Sequence, residues 1–174
     1  MSIPSFEPCC LATTIGSLPH TDPVRGTALM FAYTPEIPAW VQFPKRVAHE
    51  NMMIQFTEGL PGLVDDGERV YFDPAAPDLT ERLTDFYSRY LAATEASDAA
   101  ALDAFGLSPE YAAGFGEFIA RLPEQPAPVA LKGQVTGPFT LGTNLLDRER
   151  RCAYYDETLR DVIVKTVALK ALWQ

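Results

Sequence analysis

The chain has 174 residues, a formal net charge of −9 at pH 7, 47% hydrophobic residues and 21% charged ones. That length holds one well-buried domain, and the composition is globular, not disordered. The acidic balance excludes a general nucleic-acid binder and a peripheral binder of anionic membranes, because both need a cationic surface.

Apolar stretches such as residues 28–33 fall far short of the roughly 20 residues a spanning helix needs. No lysine- or arginine-led apolar segment opens the chain, so no secretory signal is visible, and a cytoplasmic location is expected. Cys9, Cys10 and Cys152 are an odd count with two adjacent members, a poor disulfide framework that fits a reducing compartment. The only histidines are His20 and His49, and no C-x-x-C, H-x-C or H-x-x-x-H spacing occurs. A complete zinc site within the chain is therefore not expected.

In chain order, residues 10–17 (CLATTIGS) carry β-branched Thr13, Thr14 and Ile15 before Gly16 and predict a first strand. A loop over 16–20 leads to a helix capped by Thr21 or Asp22, with Pro23 in its first turn. Its buried side is Ala28, Leu29, Met30 and Phe31. Residues 37–44 (IPAWVQFP) predict a second strand, with Trp40 and Phe43 available for packing. Residues 45–56 read as a loop entering a helix, with Lys45, Arg46, His49, Glu50 and Asn51 on one side and Met52 and Met53 inward as core. Residues 63–66 and 69–72 flank Asp66-Gly67 and predict a hairpin insertion.

Asp78 with Glu81 makes a capping box for a helix that spaces Leu79, Leu83, Phe86, Tyr87, Tyr90 and Leu91 on one face. Residues 92–104 read as an alanine-rich connector. Ser108-Pro109-Glu110 opens a further helix, with Tyr111, Phe115, Phe118, Ile119 and Leu122 inward. Residues 130–142 (ALKGQVTGPFTLG) then read as a buried strand, a glycine turn and a helix start. Such a turn brings the Thr136 hydroxyl and free N–H groups to one spot that favours carboxylates and phosphates. It also reads as a plain strand-to-helix connection. Residues 147–151 are a solvated charge run, and Asp156 caps a last helix with Leu159, Val162, Ile163, Val167 and Leu169 inward. The helical pattern runs on through Trp173 without a glycine stop.

Strands at 12–17, 37–43, 60–64 and 129–135 alternate with helices, which calls for a parallel sheet covered on both faces. A closed eight-unit barrel needs at least about 200 residues. The expected fold is thus α/β: the N-terminal half of a (β/α)8 (TIM) barrel with a small hairpin insertion, one partial domain over 1–174 that ends inside the barrel.

Residues 13–21 (TTIGSLPHT), 44–59 with ENMMIQFTEG, and 132–138 (KGQVTGP) resemble the catalytic domain of the cobalamin-independent methionine synthase family. The wider superfamily includes uroporphyrinogen decarboxylase, whose RQAGR-type arginine motif is missing here. The resemblance implies a barrel enzyme that moves a methyl group onto a thiol such as homocysteine. It implies that Ile15, Gly16 and Ser17 hold the amino-acid end of the substrate through their backbone, and that Thr136 and Gly137 shape the same mouth. His20 follows the first strand and is a further candidate. The family's substrate-contacting glutamate aligns near residues 45–50, where Arg46 stands close to the expected acid and Glu50 is the available substitute.

The family's zinc is held by His, Cys, Glu and Cys ligands from the later half of the barrel, and those motifs are absent. The resemblance therefore implies a chain that supplies substrate-binding loops without the metal ligands and is inactive alone. No catalytic residue is assigned, and folate and a corrinoid both remain open as methyl donor. Expected partners are a small thiol substrate and either the missing barrel half or a second copy. Two other readings stand beside this one: a non-catalytic half-barrel that works by association, and a decarboxylase-like enzyme.

Overall fold

A computed structural model describes Glu7 and residues 9–174. Helix α1, Pro23–Tyr33, starts where Asp22 accepts hydrogen bonds from the Val24 and Arg25 N–H groups, with Pro23 at the first helical position. The single turns Ala48–Glu50 and Gln55–Thr57 follow. Strands β1, Leu63–Asp65, and β2, Val70–Phe72, pair antiparallel as the hairpin that Asp66-Gly67 signals. Asp66 closes that turn by accepting from the Glu68 and Arg69 N–H groups. Then come α2, Leu79–Glu95; α3, Ala99–Asp103; α4, Ala113–Arg121; α5, Pro138–Asn144; and α6, Glu157–Trp173.

The expected half-barrel is not found. Among the described residues the structure is a set of helices with one two-stranded antiparallel hairpin, not parallel strands alternating with helices. Segments 12–17, 37–43 and 129–135 lie side by side, yet their strand pairing is limited to isolated parallel bridges, Ser17 to Gln42 and Ala39 to Lys132.

Missing and diverted hydrogen bonds explain this. Ala130 N–H donates to Glu36 O at 3.2 Å and Lys132 N–H to Pro38 O at 3.0 Å. The N–H that would return a bond to Ala130 belongs to Pro38, which has none. Gln42 N–H donates to Gly16 O and Leu18 N–H to Gln42 O, but the next donor along is Pro44, again without N–H. On the other side of each bridge, side chains occupy the carbonyls. Lys132 Nζ donates to Thr14 O at 2.7 Å, and Gln134 Nε2 to Trp40 O at 2.8 Å.

The core gathers Trp40, Phe56, Phe72, Phe86, Phe105 and Leu141 with the inner face of α6, where Leu159, Val162, Ile163, Val167 and Leu169 are all buried. Trp40 meets Phe115 edge-on at 5.8 Å, and Phe115 in turn packs on Trp173 at 4.8 Å. Helix α4 presses onto the 41–43 segment at Gly114, where an added Cβ would stand 1.9 Å from the Val41 carbonyl oxygen. A smaller cluster of Met30, Val41 and Phe43 closes the α1 side.

Several local expectations change with the fold. Met52 is half exposed, and so are Val129, Leu131, Leu91 and Ile119. Asp78 precedes α2 without a side-chain capping bond, and α4 begins at Ala113, after Tyr111. Residues 147–151 form a turn in which Asp147, largely buried, accepts from the Glu149 and Arg151 N–H groups. No helix among the described residues is long and apolar enough to cross a membrane.

Candidate functional site

The three extended segments and the start of α5 line an open cavity of about 220 Å³. Ile15 and Ser17 line it from the first segment, Gln42 from the second, and Lys132, Gln134 and Val135 from the third. Met52, Phe56, Thr136, Gly137 and Thr140 complete the wall. Its lining is polar at Ser17, Gln42 and Lys132 and apolar at Met52, Phe56 and Val135.

Ser17, Gln42, Lys132, Gln134 and Thr136 of the wall are tied to the scaffold. Ser17 Oγ lies 3.2 Å from Gln42 Oε1, and Gln42 Nε2 donates to Gln55 Oε1 at 3.0 Å. Gln55 Nε2 donates onward to the Tyr111 carbonyl. Thr136 Oγ1 donates to the Met52 carbonyl at 2.6 Å, fixing the 136–138 turn to the 51–54 loop. Lys132 Nζ donates to Thr14 O at 2.7 Å, and the residue lines the cavity.

Of the residues predicted from sequence, Ile15, Ser17, Thr136 and Gly137 come together on this one wall, although about 120 positions separate the two pairs. Gly16 is buried behind it with φ +114°, a backbone conformation suited to glycine. An added Cβ there would lie 2.3 Å from Gln134 Nε2. His20 is exposed and outside the lining.

Arg46 and Glu50 also stand outside the lining and pair with each other. Arg46 Nη2 is 2.6 Å from Glu50 Oε1, and the fully buried Glu50 carboxylate also accepts from the Phe43 N–H at 2.7 Å. Arg46 reaches further, to the Pro109 and Glu110 carbonyls. Helix α5 has seven residues, and no side chain caps its start at Gly137.

The donors present do not fit a zinc ion. His49 Nε2 already lies 2.6 Å from Asp65 Oδ2, and its Nδ1 faces Glu110 Oε1 at 2.9 Å, off the line of a hydrogen bond. Its ring stacks on Tyr111 at 4.6 Å. Burial, then the nearby carboxylates of Glu58, Asp65 and Glu110, push the Tyr111 phenol up to about 12. Cys9, Cys10 and Cys152 are free thiols, and no group of three His, Cys, Asp or Glu among the described residues is placed to hold a metal.

Sequence reasoning missed Lys132, Gln42, Gln134 and Gln55. A signal was present: VQF at 41–43 and IQF at 54–56 each set one glutamine between two large apolar neighbours. A polar side chain forced inward that way must find a buried partner. The missed Lys170 is almost wholly buried in α6, where it donates to the Phe105 and Gly106 carbonyls, and burial lowers its pKa to about 8.

Compared with known proteins, the chain matches no family model, no curated protein and no solved structure.

Proposed function

We propose that the cavity binds the amino-acid end of a small thiol, homocysteine or a close analogue, and that the chain serves methyl transfer to that sulfur. The observation that carries this reading is the meeting of Ile15, Ser17, Thr136 and Gly137, drawn from two distant motifs, on one wall of about 220 Å³. Lys132 adds a positive charge for a carboxylate. Met52, Phe56 and Val135 offer an apolar bed for the aliphatic part and its sulfur.

The residues present supply binding and orientation, and no step of the reaction is assigned to a metal within this chain. Either folate or a corrinoid serves as the methyl donor in this reading. A cytoplasmic setting goes with the three free thiols.

Titration of the purified chain with L-homocysteine by calorimetry tests the binding. Stoichiometric uptake, weakened at least tenfold by Lys132→Met, is the expected result. Absence of binding at millimolar concentrations, or a Lys132→Met protein that binds unchanged, overturns it. Methionine formation from homocysteine with methyltetrahydrofolate or methylcobalamin, with and without added zinc, tests the transfer.

A further inference from the structure

We propose that Gln42 and Gln55 set the hydrogen-bonding sense of the cavity, so that Ser17 reads an ammonium group on the ligand. The proposal rests on the reading of this cavity as an amino-acid site and names the group that each side of it takes.

The chain of contacts has one end whose role is fixed. The Tyr111 carbonyl can only accept, so the Gln55 amide must turn its NH2 toward it. Gln55 Oε1 then faces Gln42 and accepts from Gln42 Nε2 at 3.0 Å. Gln42 is left with Oε1 toward Ser17, whose Oγ stands 3.2 Å away. The single Ser17 proton is therefore committed to Gln42, and toward the cavity the hydroxyl offers lone pairs alone. Turning either amide over would set oxygen against oxygen or NH2 against NH2. With Gln42 5% exposed and Gln55 fully buried, solvent has little access to repair the mismatch.

Thr136 is constrained the same way, because its proton goes to the Met52 carbonyl. The Ser17 and Thr136 hydroxyls are thus acceptors toward the ligand, while Lys132 is a cationic donor. A zwitterion satisfies both sides: its ammonium on the hydroxyls and its carboxylate on Lys132. A thiol acid satisfies Lys132 alone, and a thiol amine satisfies the hydroxyls alone. Ser17 reads the ammonium directly; Gln42 and Gln55 are positioning residues that act through it.

The test uses two matched probes, 3-aminopropane-1-thiol and 3-mercaptopropionate, titrated by calorimetry against the intact chain. Ser17→Ala is expected to weaken the amine probe about tenfold and to leave the acid probe within twofold. Gln55→Met removes the fixed end of the amide chain and lets Gln42 turn over. It is expected to shift the amine-to-acid preference severalfold in the same direction, and to shift nothing further in a Ser17→Ala background. That last arm separates positioning from general loosening of the fold.

If Gln55→Met does not fold, Thr136→Val replaces it, with the same expected loss for the amine probe alone. A wild-type chain that binds no amine probe, or a Ser17→Ala protein with an unchanged amine-to-acid preference, overturns the proposal. Failure of homocysteine methylation with the amine preference intact would instead count against the methyl-transfer reading only.

Discussion

The Gln174 side chain pairs with the backbone of Gln134 as a second strand would. Gln134 N–H donates to Gln174 Oε1 at 3.0 Å, and Gln174 Nε2 donates back to Gln134 O at 2.9 Å. The same Oε1 accepts the Trp40 indole N–H at 2.7 Å. One amide thus ties the outer edge of the cavity segment to α6 and satisfies a buried tryptophan. Gln174→Leu strips partners from the Trp40 and Gln134 N–H groups and is expected to cost about 2 kcal/mol, read as a lower urea midpoint at unchanged slope.

Arg46, itself partly exposed, pairs with the fully buried Glu50 carboxylate. Removing Arg46 leaves the fully buried Glu50 carboxylate with only the Phe43 N–H, and frees the Pro109 and Glu110 carbonyls. Arg46→Met is expected to destabilise the chain by about 3 kcal/mol, and the Arg46→Met/Glu50→Met double variant by clearly less than the sum of the singles. Denaturation of the four proteins of this cycle decides the matter; strict additivity would show that the two side chains act independently.

Lys170 makes stability depend on alkaline pH. Its pKa falls from 10.5 in the unfolded chain to about 8 in the fold, so the unfolded state binds more protons between those values. Stability should rise across that window, by about 3 kcal/mol in all. Tyr87 and Tyr111 act in the opposite sense, because burial raises both from 10.0 to about 12 and folding then favours their protonated forms. Their stabilisation is full below pH 10 and is lost toward pH 12. Urea midpoints against pH should climb from pH 8 and turn over near pH 10. Lys170→Met should abolish the climb and keep the fall.

Gly16 stands at φ +114° against the Gln134 amide. Gly16→Ala must strain the backbone and displace Gln134 from its bond to Trp40 O, so a loss of about 2 kcal/mol is expected. The displaced amide lines the cavity, so ligand binding should fall as well. A Gly16→Ala protein with unchanged melting temperature would show that the glycine is dispensable.

Local chemistry was legible wherever one short stretch decides the outcome. Asp22 caps α1, Asp156 accepts from the Leu159 N–H at the start of α6, and Asp66-Gly67 turns the hairpin. The inward face of α6 follows its apolar spacing residue by residue. Strand formation was misread for a reason that also lies in the residues. Pro38 and Pro44 remove ladder donors, and the effect of a missing N–H shows only once the partner segment is known.

The sequence by itself determined the starts of α1, α5 and α6, the hairpin and the two motifs whose residues share a wall, because caps, turns and periodic burial act over a few neighbouring positions. Tertiary structure alone decided that Lys132 and Gln134 take carbonyls of the adjacent segments, that Arg46 answers Glu50 instead of lining the cavity, and that a glutamine at position 174 finishes the edge beside position 134. Those outcomes depend on which buried donor finds which acceptor across the chain. Each is settled by the cost of leaving a polar group unpaired in the interior.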